Sequence, residues 1–444
     1  MNELVQRYHI AGSTAGEIAT SIETAVRSGG LQPGERLPTV RALAAELGVS
    51  PVTVAAAYRR LTGRGVLSAS GRRGTHVCPG PLLPSRLDVP RLPAGVRNLA
   101  DGNPDPAFLP DLRSAADGLT LPRRLYGDDP TCADLLELAG AELRRDGLDA
   151  SALAVVGGAM DGIERILSAH LRPGDRIAVE DPCYPAVRDM VAALGMGADP
   201  VAVDDYGPLP EELERSLARG AVAAVVTPRA QNPTGAALDE SRAAELRGVL
   251  RAHPGVLLVE DDHAGSVAGA EAISLSPGHD GPWAVVRSAA KTFGPDLRVA
   301  VLAGDPTTVG RVEGRQRLGT GWVSHVLQEL VAILMRDPAT ADLLARGAAA
   351  YAERRTGLVA ALARVGLRAH GRSGLNVWMP VAEEAATVQH LLSRGWGVRG
   401  GERYRFRAAP AIRVTTSDLR AEEAEQLAAD LAELLRGSRR TGTA

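Results

Sequence analysis

The sequence predicts two folds in one chain: a small helical module, then a large α/β domain with a mainly parallel sheet. Three observations predict it. Residues 1–78 hold nine Arg and five Glu, a net of +4, which leaves −7 for the remainder of a 444-residue chain whose total is −3. Residues 79–97, PGPLLPSRLDVPRLPAGVR, contain five prolines and no hydrophobic periodicity, the composition of a stiff spacer. Beyond residue 98, short Val/Ala/Leu runs alternate with helical segments, the pattern of strands buried on both faces. The expected boundaries are therefore 1–78, 79–97 and 98–440.

Composition sets outer limits. Hydrophobic residues make up 45% of the chain, enough for a large core. Three cysteines (Cys78, Cys132, Cys183) make no disulfide framework and suit a reducing, cytoplasmic setting. The first residues lack the apolar core of a signal peptide, and no apolar run of about 18 residues exists, so no membrane span is expected. Nor is a metal site. Of 50 basic residues, one is lysine, Lys291. A bias that replaces lysine elsewhere spares it where arginine cannot serve, because only lysine can lose its proton and form a Schiff base.

In the first module, Ser13–Ser28 reads as a helix opened by a capping box, with Glu17 three residues after Thr14. TVRALAAELG follows the LQPGERLP turn. Its apolar Val40, Leu43, Ala44 and Leu47 lie at helical spacing, and Gly48 is its stop. Ser50 and Pro51 suit the cap and first turn of a third helix that runs to about Arg64. Val54, Ala57, Tyr58 and Leu61 form its buried stripe, and Thr53, Ala56 and Arg60 its other face. Gly65-Val66-Leu67, the GRRG turn at 71–74 and Thr75-His76-Val77 read as a small β-wing. Two helices joined by a tight turn can present the second one to a DNA major groove; a docking domain with a solvated arginine face is the rival reading.

Residues 30–77 resemble the winged helix-turn-helix of the GntR family of bacterial regulators, through the PGERLP turn, the LA-x-x-LGVS-x-x-TV core and the terminal G-x-G-T. The resemblance implies double-stranded DNA as a partner. It marks Arg36, Thr39, Arg41, Ser50, Val52, Thr53, Arg72 and Arg73 as contacts. Pro51 stands where many members carry arginine.

In the large module, AVVGG (154–158), RIAVED (176–181), AVAAVVT (221–227), VLLVEDD (256–262), AVVRS (284–288) and VAVLAG (299–304) read as strands. Helices are expected up to Leu171 and around 185–194. Ligands of such sheets sit at the carboxyl ends of the strands, and polar clusters fall there. Gly157-Gly158-Ala159 opens a helix and offers amides to a phosphate. Ser288 and Arg298 flank Lys291 and can serve the same phosphate. Asp261 can pair with a pyridinium nitrogen, Asn232 with a ring hydroxyl, and Tyr184 can stack on the ring. Taken singly, each cluster reads equally as a turn, a cap or core packing. Their joint order points to pyridoxal 5′-phosphate (PLP) held as a Schiff base by Lys291.

The large module resembles the fold-type I aminotransferases over roughly 340 residues. That resemblance assigns Lys291, Asp261, Asn232, Tyr184, Gly158, Ala159, Ser288 and Arg298 to the cofactor. It assigns Tyr126 to the phosphate of the neighbouring subunit of a homodimer, and Arg413 in AIRVT to a ligand α-carboxylate. His263 stands in the cofactor site where a tyrosine is usual. A GntR-type winged helix joined to such a domain is the layout of the MocR subfamily of regulators. The expectation is a PLP-dependent transcriptional regulator that senses PLP, an amino acid or an amine. The alternative is a working aminotransferase with an accessory N-terminal domain.

Overall fold

The structure is a computed structural model that describes residues 10–27, 30–63, 66–69, 74–78, 92–120 and 122–441. Its contacts fall into two compact units.

The smaller unit holds three helices, α1 (Ala15–Arg27), α2 (Val40–Leu47) and α3 (Pro51–Gly63), and a two-stranded wing, β1 (Leu67–Ala69) and β2 (Thr75–Val77). Each helix starts where a hydroxyl satisfies the first free amides. The Thr14 hydroxyl accepts from the Glu17 amide while the Glu17 carboxylate accepts from the amides of Ser13 and Thr14. Thr39 accepts from Ala42, and Gly48 takes the left-handed conformation that ends α2. Ser50 accepts from Thr53. The predicted stripe of Val54, Ala57, Tyr58 and Leu61 is buried against Ile18, Ile22 and Leu43, and the Tyr58 hydroxyl donates to the Pro38 carbonyl. In the antiparallel wing, Leu67 faces Val77. The wing arginines Arg72 and Arg73 lie outside the described residues.

The larger unit is organised by an eight-stranded sheet. Its strands are β3 (Leu153–Val156), β4 (Arg176–Asp181), β5 (Gly197–Asp204), β6 (Gly207–Pro208), β7 (Ala221–Val226), β8 (Leu257–Asp262), β9 (Trp283–Ser288) and β10 (Ala300–Gly304), in the order β3-β10-β9-β8-β7-β4-β5-β6. β7, β8 and β9 pair in parallel, and β10 runs antiparallel to both β9 and β3. Every residue of β8 is buried, which explains its unbroken apolar run, and its acids come only at the carboxyl end. Helix α4 (Ala133–Arg145) precedes β3, and α5 (Ala159–His170) follows it and packs on the sheet. Helix α6 (His325–Arg336) packs on α4.

The 27-residue helix α7 (Pro338–Arg364) reaches a second core, built on a three-stranded sheet of β11 (Asn376–Pro380), β12 (Arg399–Gly400) and β13 (Ala411–Thr415) in the order β11-β13-β12. Leu358, Val377, Ile412 and Leu427 are fully buried there. Arg97–Asn98 already belongs to this unit. It pairs with Trp396–Gly397, and the Arg97 guanidinium bridges Asp418 and Glu423. No single described helix is long and apolar enough to cross a membrane.

Candidate cofactor and effector site

The carboxyl ends of β7, β8 and β9 and the start of α5 enclose a cavity of about 200 Å3. Ala159, Tyr184, Asn232, Asp261, His263, Ser288, Lys291, Arg298 and Arg413, nine of the residues singled out by sequence, line it. Gly158 borders it. Its φ of +100° is a left-handed value that glycine tolerates, and a Cβ there would sit 3.2 Å from the Arg298 guanidinium. Tyr126 does not line the cavity of its own chain. It is 94% exposed and stacks edge-on against Trp322, with ring centroids 5.7 Å apart.

Lys291 Nζ donates a 2.6 Å hydrogen bond to the Gly102 carbonyl. Burial, and then the Arg413 charge, bring the amine down to about 8. It thereby yields a neutral nucleophile far more readily than a surface lysine does. Asp261 is 4% exposed, and its Oδ1 has no hydrogen-bond partner. Burial raises this carboxyl to about 6, against the pull of His263. A buried acceptor left open is costly unless a ligand completes it, and a protonated ring nitrogen is such a ligand.

Asn232 Oδ1 accepts from Arg413 at 3.0 Å, which leaves the Asn232 amide NH2 as the available donor. His263 Nε2 bonds the Ala230 carbonyl at 3.0 Å, so this nitrogen carries a hydrogen. Arg298 makes no hydrogen bond or ion pair among the described residues, and it adjoins Gly158, Ala159 and Ser288. A free guanidinium, a hydroxyl and the first turn of a 12-residue helix make a phosphate cradle. The donor set therefore fits PLP.

Arg413 projects from β13 and is 3% exposed. It donates to Asn232 and to the Ala100 carbonyl, and it lies 5.2 Å over the Tyr404 ring. Its Nε is unpartnered, and no carboxylate pairs with it among the described residues. Gly102 allows this approach, since at its φ of +66° a Cβ would press on the guanidinium at 3.3 Å. A buried guanidinium without a carboxylate is an incomplete ion pair.

Two family models match the chain: bacterial regulatory proteins of the gntR family over residues 14–77, and aminotransferase class I and II over residues 95–431. The vitamin B6 salvage pathway transcriptional repressor PtsJ of Salmonella typhimurium is 40% identical over 96% of this chain and 99% of its own length. The chain belongs to the MocR-type regulators. The transcriptional regulator TauR of Rhodobacter capsulatus is 28% identical over 83% of this chain and 84% of its own. The pyridoxine biosynthesis regulator PdxR of Corynebacterium glutamicum is 31% identical over 57% of each. Among solved structures, the α-aminoadipate aminotransferase LysN of Thermus thermophilus superposes with a TM-score of 0.70 at 20% identity, over 81% of this chain and 96% of that one. The cofactor of this MocR-type chain is PLP.

Other residues of this MocR-type site have no mark in the sequence beyond their polarity. Arg355 of α7 donates to the carbonyls of Gly371, Arg372 and Gly374. The loop it holds places the Ser373 hydroxyl, which accepts from the Ala230 amide and donates to the Gly235 carbonyl. Gln231 donates to Glu180 and accepts from Thr234. Asn232 thus sits between clamped neighbours. The only advance sign of Gly102 is its place in the polar turn DGNPD.

In the smaller unit, Arg36, Thr39, Arg41, Ser50 and Val52 are all exposed and Thr53 is partly buried. Val52, at 72%, opens α3 with an apolar group in solvent. Arg36 lies against Gly74 at the foot of the wing.

Proposed function

We propose that the chain is a transcriptional regulator that binds double-stranded DNA as a homodimer and converts occupancy of its PLP cavity into a change of DNA affinity. The observation that carries this reading is Arg413: a buried guanidinium without a carboxylate, in the same cavity as the single lysine. PLP needs no such group, since Ser288, Arg298 and helix amides would already hold its phosphate. A carboxylate-bearing amine does need it. The names of two relatives refer to vitamin B6 pathways, which supports vitamin B6 genes as the target and PLP as the first signal.

When bound, PLP supplies an aldehyde with which a primary amine condenses. The chain's own residues do the rest. Arg298, Ser288 and the α5 amides would hold the phosphate, Asp261 the ring nitrogen, and Tyr184 would cover the ring. The Asn232 NH2 would meet the ring hydroxyl. Lys291 would leave the Gly102 carbonyl, and Arg413 would turn to the ligand carboxylate. Ligand contacts that differ between two domain arrangements shift their populations; equal contacts shift nothing. His263 in place of a tyrosine supports a slow proton relay, so that a complex persists instead of turning over.

Tyr126 of one subunit, exposed beside Leu125 and Trp322, would reach the cofactor phosphate of the other. On DNA, the α3 start at Ser50, Val52 and Thr53 would enter the major groove, with Thr39 and Arg41 on the backbone. Arg36, Arg72 and Arg73 would contact DNA beside the wing.

The test is fluorescence anisotropy of the protein on its own upstream DNA, with and without PLP, amino acids and simple amines, for wild type and Arg413→Ala. Carboxylate-bearing amines should change DNA affinity and the visible spectrum more than amines lacking the acid, and Arg413→Ala should remove that difference. Equal responses of the two ligand classes, or of the two proteins, would end this reading. Rapid transamination with a keto acid would favour the enzyme.

A further inference from the structure

A second cavity, of about 320 Å3, adjoins the first, with Ser288 lining both. It lies among α4, α6, the start of α7 and the segment that carries Lys291. Its wall is mostly apolar, with Leu135, Leu143, Phe293, Val331 and Leu344 all buried. A concave, mostly apolar space of this size is of the kind that takes small-molecule ligands.

Two charged side chains line this space, Glu142 and Arg287. Arg287 is already committed, at 2.7 Å to Asp262 and at 2.7 Å to Asp146. The Glu142 carboxyl makes no hydrogen bond or ion pair among the described residues. Burial, opposed by the Arg287 charge, raises its pKa. A half-buried acid that faces an apolar hollow and has no donor of its own offers an acceptor to a ligand there.

We propose that this cavity is a second small-molecule site, which takes an uncharged, mainly apolar ligand with one hydrogen-bond donor directed to Glu142. At about 30 Å3 per water-sized group, the space admits roughly ten non-hydrogen atoms. Thr292 and Phe293, the two residues that follow Lys291, form part of its wall. A ligand seated there therefore touches the same short segment that presents the lysine to the cofactor cavity. The site does not depend on the identity of the effector in that first cavity.

The probe is 2-naphthol, a fluorescent bicyclic with a single hydroxyl donor; 2-methoxynaphthalene has the same rings and no donor. Both are titrated by calorimetry and fluorescence into full-length protein saturated with PLP, so that the cofactor cavity is already filled. Wild type should bind 2-naphthol saturably and at least about tenfold more tightly than the methyl ether, which has no donor for the Glu142 carboxyl. Glu142→Leu should bring the two ligands to equal affinity. Ala139→Phe, which fills the hollow from α4, should abolish binding of both. Absence of saturable binding, equal affinity of the two ligands for wild type, or a preference that survives in Glu142→Leu would each overturn the proposal. Should Ala139→Phe fail to fold, Glu142→Leu decides alone, because it places an apolar side chain on an already apolar wall.

Discussion

Asp261 and Asp262 are neighbours at the end of one strand, and the sheet sends them to opposite faces. On the far face, Asp262 receives Arg229 at 2.8 Å and Arg287 at 2.7 Å. Burial opposes its charge, but the two guanidiniums hold it well below the usual carboxylate range. On the cavity face, Asp261 is equally buried and has one oxygen with no partner. One face is finished by the chain itself, and the other is left for something else to finish. The same contrast separates Arg287, which has two carboxylates, from Arg413, which has none. Where a fold leaves strong donors and acceptors open in a buried place, the missing partner belongs to the function.

Substitutions can break or sharpen this contrast, and Lys291→Ala has the largest expected effect. It removes the single ε-amine, so the stable protein adduct after borohydride reduction of the PLP complex should vanish. The fold should survive, since a buried amine is lost. Stable reduction of that variant on anything but the N-terminus would refute the site. Asp262→Asn comes next. It leaves the buried Arg229 without a carboxylate and takes one of two from Arg287, and urea unfolding should register a loss of about 3–5 kcal/mol. Asp261→Asn should cost the apoprotein little or nothing while weakening PLP, measured by spectral titration. Comparable destabilisation by both variants would erase the distinction between the two faces.

The pH dependence is smaller. The folded-state value of Asp261, about 6, lies above its ordinary value, so folding takes up a proton. The stability from this group is fully present at low pH and is lost as pH rises through about 6, a change of about 3 kcal/mol. The apo wild type should therefore lose more stability between pH 4 and pH 7 than apo Asp261→Asn does. Equal pH slopes would contradict the assignment. The smallest effect is Thr39→Ala, which removes the cap of α2 and should cost about 1 kcal/mol in thermal or urea unfolding.

Much of this was legible in the sequence, for a physical reason. Buried parallel strands have no solvent face, so they read as unbroken apolar runs, and RIAVED and VLLVEDD match β4 and β8 to within a residue. A carboxylate or hydroxyl that ends such a run is conspicuous, which exposes Asp261 and Ser288. The caps at Thr14, Gly48 and Ser50 are equally local and were equally readable. β5 was not, because GADPVAVD breaks its apolar run with Asp and Pro. Gly102, Arg355 and Ser373 were invisible because their work depends on residues over a hundred positions away or on a backbone carbonyl. The hollow beside Glu142 could not be foreseen either. A cavity is a property of how helices meet, and no residue in it looks unusual in its own helix.

The solitary lysine has a practical consequence. Acylating reagents, amine cross-linkers and lysine-modifying enzymes find one ε-amine on the whole chain, and it lies inside the cofactor cavity. Their reaction beyond the N-terminus is therefore a measure of how many cavities stand open. A mass spectrum of acylated protein would count vacancies directly, molecule by molecule, with no need for an operator, an effector or a spectroscopic label.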